Sequence, residues 1–149
     1  MTQENKEILL KDLCARLSYK PIVHIDDCGI WNLRGIDHDD SAELRDRVIV
    51  WHGENYPSSK NSFPIINCKP YLFPLSSMTE EQKEELKNEI SKQTDILIER
   101  MKNDDCGIDC GKYHFHSLLE LEWLLKNHFD YRGLIEKGLA IDATGLNIY

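Results

Sequence analysis

The sequence lacks the short motifs that identify the commonest enzyme classes. It contains no Gly-x-x-x-x-Gly-Lys-Ser/Thr phosphate loop, no Gly-x-Gly-x-x-Gly dinucleotide motif, no His-Glu-x-x-His metal motif and no Gly-x-Ser-x-Gly nucleophile turn. Phosphate-loop enzymes, dinucleotide enzymes and the commonest hydrolases therefore gain no support from the residues. We interpret the chain as a non-enzymatic protein.

Long apolar runs are also missing. No stretch approaches the length of a membrane span, and residues 1–7 lack the basic start and apolar core of a secretory signal. The five cysteines are odd in number and irregular in position, which suits a reducing compartment better than a disulfide framework. We predict a cytoplasmic protein without a membrane partner, with Cys14 and Cys68 as small core residues.

Basic residues are in short supply. Eighteen lysines and arginines face 26 aspartates and glutamates, giving a net charge of -8 that opposes binding to nucleic acid. Residues 79–105 hold nine acids and five bases, which is typical of a solvated helix face. This balance leaves room for a local basic pocket that holds a small anionic ligand.

The length of 149 residues predicts a single domain, 1–149, that folds without disulfides or metal. Three helices are expected from apolar periodicity and capping residues. The second should run from about 80 to 102 behind a capping box of Thr79 and Gln82, and the third should follow a similar pair, Ser117 and Glu120. The first covers about three turns, with one apolar face formed by Ile8, Leu9, Leu13 and Leu17.

Short apolar or alternating runs separated by turn residues predict strands. These runs are residues 22–25, 29–36, 47–52 and 63–68. Because sequential strands with short links usually pair, we expect an α+β fold with a small, bent antiparallel sheet or open barrel of four to five strands. Residues 69–75 should form an extended connector instead, since Pro70 and Pro74 each remove a hydrogen-bond donor from a ladder.

The last third of the chain is too apolar to be a free tail. Residues 128–141 should pack back on the sheet or its helices after the third helix closes near Asn127, leaving only the last few residues loose. The side chains expected to be buried are Phe129, Leu134, Ile135 and Leu139. Asp130 and Arg132 lie close enough in sequence to pair. Whether this segment packs within one chain or against a second copy, as in a homo-oligomer, is open at this stage.

One eleven-residue stretch concentrates metal-binding side chains: Cys106, Cys110, His114 and His116. The cysteine spacing suits a zinc knuckle, whereas the single residue between the histidines is tighter than in the usual finger. Alternation over 112–116 predicts a strand with both imidazoles on one face. The alternative interpretation is a polar loop leading into an amphipathic strand, with no cofactor.

A second set of residues could form a ligand site. Arg132 with Tyr131 and His128 could bind a phosphate or carboxylate through a forked donor set and a stacking ring. Local pairing and aromatic packing explain the same residues. Further stacking or guanidinium groups come from Trp31, Trp51 and Arg34.

Three stretches carry a family resemblance: residues 9–17, 68–81 and 127–135. They resemble a group of small uncharacterised proteins of gut Bacteroides phages and integrated mobile elements. The resemblance implies a phage or mobile-element protein in the host cytoplasm and implies no activity. Our hypothesis is an accessory binding or interaction protein that sequesters a host nucleotide signal or a host protein. The alternative is a zinc-binding protein with a structural Cys2His2-type site.

Overall fold

A computed structural model describes residues 1–38, 46–51, 60–103 and 111–149, without the side chains of residues 38, 46, 51, 60, 97–103 and 111–116. The fold is α+β, as predicted. The helices are α1 (Gln3–Arg16), α2 (Glu80–Asn103) and α3 (Gly111–Lys126). The strands are β1 (Ile22–Ile25), β2 (Gly29–His38), β3 (Asp46–Trp51), β4 (Lys60–Pro64), β5 (Cys68–Leu72) and β6 (Ile141–Asp142).

The described strands form one sheet in the order β4-β3-β2-β1-β5-β6. All neighbours are antiparallel except β5 and β6, which pair in parallel. The first three predicted runs correspond to β1, β2 and β3. The sheet has six strands instead of four to five because both β5 and β6 come from segments that were not predicted as strands.

The assignment of residues 69–75 to a connector was wrong, because β5 lies inside the sheet. The carbonyl of Leu72 accepts a hydrogen bond from Ala143 N at 2.8 Å, so Leu72 directs its backbone polar groups toward β6. Pro70, two residues earlier, directs its nitrogen the same way, since alternate residues of a strand face the same neighbour. Its missing N–H therefore costs no bond to β1, where Pro70 stands opposite Val23. The predicted strand 63–68 is also divided, since residues 65–67 form a 3-10 turn.

Capping residues fix the starts of α1 and α2. Thr2 caps α1 by accepting a hydrogen bond from Asn5 N at 3.2 Å. The predicted capping box of α2 is confirmed, because Thr79 N donates to Gln82 Oε1 at 3.0 Å and Gln82 N donates to Thr79 Oγ1 at 3.2 Å. Each box or cap satisfies amide groups that the first helical turn leaves without a partner.

The strand predicted over 112–116 was wrong, because α3 already begins at Gly111. Five alternating residues are too few to distinguish a strand from the start of a helix, and the leucine-rich sequence that follows extends the helix backwards. Ser117 and Glu120 consequently lie within the helix and do not cap it. The predicted closure near Asn127 is confirmed.

Two apolar clusters make up the core. The larger joins α1 to the sheet and includes Leu9, Leu13 and the fully buried Leu33. The smaller joins α3 to the residues that follow it and contains Trp123, Leu124 and Phe129. The larger cluster therefore fixes α1 over one face of the sheet.

The tail packs back as predicted. Phe129, Leu134 and Leu139 are buried, Ile135 is half-buried, and β6 adds to the sheet edge. The expectation that the last residues are loose was wrong, because Tyr149 is hydrogen-bonded to the sheet.

The described cysteines are free thiols. Cys68 is buried, as predicted, and burial raises the pKa of its thiol to about 12. Cys14 is exposed, so its assignment to the core was wrong. It lies on α1 directly after the buried Leu13, and neighbouring residues of a helix face different directions. The raised pKa of the Cys68 thiol disfavours the reactive thiolate form.

Candidate ligand site beside a buried arginine

A fully buried arginine stands at the centre of the candidate site. Arg16 and Asp12 lie one turn apart on α1, and both side chains have no solvent exposure. Arg16 Nε donates to Asp12 Oδ2 at 2.7 Å and Arg16 Nη2 donates to Asp12 Oδ1 at 3.3 Å. Burial raises the pKa of the Asp12 carboxyl above its ordinary value, and the Arg16 hydrogen bond and charge oppose this shift. The two-point contact fixes the plane of the guanidinium.

Arg16 also connects α1 to the end of α3. Its Nη2 donates to the carbonyl of Phe129 at 2.7 Å, and its Nη1 donates to the carbonyl of Leu125 at 3.5 Å. Carbonyls at the end of a helix lack intrahelical donors and carry partial negative charge, so a buried cation is favourable there. One side chain thus holds together α1, α3 and the start of the tail.

Arg132 adds a second guanidinium to the same carboxylate. Its Nε lies 3.6 Å from Asp12 Oδ1 and donates to Tyr131 Oη at 2.8 Å. The Tyr131 ring contacts both guanidiniums, with ring-centroid distances of 4.7 Å to Arg132 and 5.5 Å to Arg16. Unlike Arg16, Arg132 keeps 34% of its side chain exposed. It is therefore both anchored and accessible.

The predicted pairing of Asp130 with Arg132 was wrong. Asp130 is buried, and its two carboxylate oxygens accept hydrogen bonds from Leu134 N at 2.9 Å and Ile135 N at 2.8 Å. Such side-chain to backbone bonds satisfy the amides of a turn, so Asp130 shapes the backbone around Arg132. Arg132 pairs with Asp12 instead.

A lysine that the sequence did not single out lies next to Arg132. Lys137 Nζ donates to the carbonyls of Arg132 and Gly133, each at 3.4 Å. Gly133 has φ +67°, and a Cβ there would lie 3.4 Å from Lys137 Nζ. The tight turn therefore brings the exposed ammonium group of Lys137 against the backbone carbonyls of Arg132 and Gly133. The only signal in the sequence is the pair of glycines, 133 and 138, that makes such a turn possible.

His128 belongs to this cluster but is unsuited to binding an anion by charge. It is 9% exposed, and its ring stacks on Tyr149 at 3.9 Å between centroids. Burial and the nearby Arg16 charge lower the pKa of His128 to about 4, so the imidazole is neutral near pH 7. Within the described part of the chain, its Nδ1 has no hydrogen-bond partner.

A cleft of about 320 Å³ lies beside the cluster. Residues 74–76 form one wall, and Tyr131, Gly133 and Glu136 contribute to the other. Its size suits a small ligand, and its walls are mixed in polarity. Glu136 is among the lining residues and disfavours a highly charged anion in the cleft, whereas Arg132 and Lys137 are not among the lining residues.

The remaining predicted ligand residues lie on β2 and β3. Trp31 packs against Phe63 at 5.9 Å between ring centroids, and its Nε1 donates to the carbonyl of Cys28 at 3.0 Å. Arg34 is half-buried at a register shift between β2 and β3. Trp51 ends β3, and its side chain lies outside the described set. The tail thus brings together His128, Tyr131 and Arg132, whereas Trp31 and Arg34 lie on β2 and Trp51 lies on β3.

The proposed zinc ligands fall largely outside the described residues. Cys106 and Cys110 lie between the ranges that the structure covers, and His114 and His116 lie in α3 without described side chains. The argument for placing both imidazoles on one face required a strand, so it no longer holds. Among the side chains that are described, no group of three or more histidine, cysteine or acidic residues gathers to hold a metal ion. Zinc binding stays a prediction.

Comparisons with known proteins identify no relative of this chain. No protein-family model, curated protein or solved structure matches the chain. Within the described ranges, no helix combines the length and the apolar character needed to cross a bilayer. The chemistry of the Arg16 cluster therefore carries the functional inference.

Proposed function

We propose that this chain is a non-enzymatic binding protein that holds a small ligand by its phosphate or carboxylate group at Arg132 and Lys137. The observation that carries this proposal is that the Arg132 side chain is fixed in position and also accessible to solvent. Its guanidinium is fixed against Tyr131 and Asp12, yet a third of its side chain is exposed. A pre-positioned, accessible guanidinium binds oxyanions with little loss of side-chain freedom.

The donor arrangement favours an oxyanion. Arg132 uses its Nε on Tyr131 Oη, and among the described residues neither terminal nitrogen of Arg132 has a hydrogen-bond acceptor. Those two nitrogens can bind two oxygens of one phosphate or carboxylate, and Lys137, whose Nζ bonds to the Arg132 carbonyl, adds a second positive charge to the same turn. The overall charge of -8 disfavours a long polyanion, so the ligand is small.

A nucleotide is one member of this ligand class. Because Arg16 and Arg132 already contact the Tyr131 ring, the geometry favours phosphate binding by Arg132 over base stacking on Tyr131. A base would then lie in the neighbouring cleft against residues 74–76. Sequestration of a host nucleotide signal by a cytoplasmic phage or mobile-element protein agrees with this arrangement, and with the resemblance in residues 68–81 and 127–135. A host protein that presents a carboxylate is the alternative partner.

Thermal unfolding with a panel of inorganic phosphate, pyrophosphate, linear and cyclic nucleotides and dicarboxylates tests the proposal. A ligand at a hundredfold excess over its Kd should stabilise the protein by about 2.7 kcal/mol. Arg132→Gln should abolish the shift. The matched control is Arg47→Gln, because Arg47 hydrogen-bonds Ser62 on β4 and lies outside the site. No shift with any compound, or an equal shift in Arg132→Gln, would overturn the proposal.

A further inference from the structure

The hydroxyl of Tyr149 reaches the sheet between β1 and β5, while 44% of the residue stays exposed. Tyr149 Oη accepts a hydrogen bond from Ile22 N at 3.3 Å and donates to the carbonyl of Tyr71 at 2.8 Å. Ile22 and Tyr71 are the next pair after Val23 and Pro70 in the antiparallel register of β1 and β5. Because Val23 and Pro70 form a non-hydrogen-bonded pair, Ile22 and Tyr71 should bond directly in a regular ladder. The Tyr149 hydroxyl bridges the two groups of one of these bonds, Ile22 N and the Tyr71 carbonyl.

The ring of Tyr149 is held in an aromatic slot. One wall is His128, stacked at 3.9 Å with an interplanar angle of 11°. The other is Phe73, with ring centroids 5.9 Å apart. Burial raises the pKa of Tyr149 to about 12, so the hydroxyl keeps its proton and remains a donor to Tyr71. The slot therefore offers two ring contacts, one backbone donor and one backbone acceptor.

The segment that carries Tyr149 is otherwise weakly attached. We call residues 143–149 the strap. Ala143 N bonds to the carbonyl of Leu72, but Leu146 N and Ile148 N bond only to carbonyls within the strap. Residues 144–147 are exposed. Thr144 N donates to Asp142 Oδ1 of β6 at 2.8 Å, and within the described residues the Tyr149 hydroxyl makes the remaining hydrogen bonds from the strap to the sheet.

The surroundings of the slot resemble a binding site more than a filled core. The buried Nδ1 of His128 has no hydrogen-bond partner within the described part of the chain. A cleft of about 190 Å³ shares the Phe73 wall and is bordered by Thr144 and Gly145 of the strap. A polar atom without a partner and an adjoining space are both features that a ligand would use.

We propose that Tyr149 occupies, from within the chain, a slot that binds an aromatic ring carrying a hydroxyl group. The ligand class is a small phenol or the side chain of a tyrosine, bound when the strap moves away. The hydroxyl bridges Ile22 N and the Tyr71 carbonyl, and the ring stacks on His128. This slot is separate from the proposed anion site at Arg132 and Lys137.

Chemical rescue tests the slot. Tyr149→Ala should lower the melting temperature, and 4-methylphenol should restore it with a saturable dose response while leaving the wild type unshifted. Toluene has the ring but not the hydroxyl, so it should bind about fivefold more weakly, as expected for loss of a net hydrogen-bond contribution near 1 kcal/mol. N-acetyltyrosinamide in a parallel titration distinguishes a free phenol from a tyrosine in a peptide: whichever binds more tightly identifies the source.

Two control variants distinguish binding in the slot from general binding to the protein and from binding at the anion site. Tyr19→Ala removes a tyrosine whose hydroxyl bonds to Glu122, and 4-methylphenol should not rescue it. Arg132→Gln should leave the rescue of Tyr149→Ala unchanged even if it abolishes anion binding. Equal shifts in wild type and Tyr149→Ala, rescue of Tyr19→Ala, or the absence of any effect in Tyr149→Ala would overturn the proposal. If Tyr149→Ala unfolds, recovery of cooperative unfolding in 4-methylphenol supports the slot, and failure to recover overturns it.

Discussion

The sheet with α1 and the pair formed by α2 and α3 differ in how they bury apolar surface. On the sheet side, strands, α1 and tail share one large cluster with many fully buried side chains. On the helical side, no residue of 80–96 is buried, and α2 offers only half-buried side chains such as Leu86 and Ile90 to α3. Hydrophobic stabilisation scales with buried apolar area, so most of it belongs to the sheet side.

The join between the two regions is polar. Arg16 reaches from α1 to the carbonyls of Leu125 and Phe129, and Asp12 holds both Arg16 and Arg132. A buried ionic contact gives geometric specificity but little net stability compared with apolar packing. The comparison thus indicates that the sheet, α1 and tail form the stable unit, with α2 attached through α3 and the Arg16 cluster.

Removal of the tail should have the largest effect. A chain ending at Asn127 loses Phe129, Leu134 and Leu139 from the core, along with β6. With the half-buried Ile135, the lost burial is worth about 6 to 12 kcal/mol as an upper bound, comparable to the stability of a whole domain. We expect no cooperative unfolding transition by circular dichroism. A soluble, monomeric and cooperatively folded product would contradict this and would identify the tail as a detachable interaction segment.

Arg16→Met should have the next largest effect. It leaves Asp12 without its closest partner and the carbonyl of Phe129 without its donor, so we expect a loss of about 3 to 5 kcal/mol in urea unfolding. The matched control is Arg47→Met, which removes surface bonds to Ser62 and should cost about 1 kcal/mol. Equal losses in the two variants would mean that the Arg16 cluster does not join the two regions.

His128 should make stability depend on pH. Its pKa is about 4 in the folded state, against 6.5 for an ordinary histidine, so the unfolded chain takes up the proton first as pH falls. The stabilisation is complete above about pH 6.5 and declines toward pH 4 by about 3 kcal/mol. His128→Asn should remove this pH-dependent component, because asparagine does not titrate. Asparagine also tolerates the left-handed backbone at this position, where φ is 58°. Urea unfolding at several pH values measures this component. An unchanged profile in His128→Asn would contradict the assignment.

Loss of one helix cap should distinguish the two regions directly. Thr79→Ala and Thr2→Ala each remove a hydroxyl that accepts an amide hydrogen bond, at α2 and α1 respectively, and each should cost about 1 kcal/mol. If α2 is only loosely attached, Thr79→Ala should accelerate hydrogen exchange in α2 while exchange in β1 stays unchanged. Faster exchange in the sheet after Thr79→Ala would show that the two regions unfold together.

Metal removal should have the smallest effect. We expect purified protein to contain less than about a tenth of an equivalent of zinc, and Cys106→Ser to leave the unfolding free energy unchanged. Stoichiometric zinc that is lost in Cys106→Ser would instead support the structural Cys2His2-type site and would make the helical side metal-stabilised.

Local features were predictable from the sequence because their causes are local. The Thr79 and Gln82 capping box, the end of α3 near Asn127 and the apolar character of Leu134 and Leu139 each depend on a few neighbouring residues. The start of α3 was not predictable from the sequence. Residues 112–116 are too few to distinguish the two-residue period of a strand from the 3.6-residue period of a helix. Proline in β5 was misjudged because its effect depends on which neighbour the nitrogen faces.

The candidate site was only partly predictable for a similar reason. Arg132, Tyr131 and His128 are adjacent in sequence, so their grouping followed from the chain itself. The contact of Arg132 with Asp12 requires the tail to return to α1, which no local pattern specifies. The role of Tyr149 was missed because the polar, exposed residues around it have no periodicity that marks its hydroxyl as bonded to the sheet.

The orientation of Pro70 has a consequence for the burial of the backbone of β5. The recorded pairing with β6 begins at Tyr71, and Pro70 itself is buried. An ordinary residue at position 70 would direct its N–H away from β1 into this buried region, where a donor without a partner costs about 1 to 3 kcal/mol. Proline has no N–H, so the same residue that leaves the ladder with β1 intact also avoids a buried polar group on the opposite side of the strand.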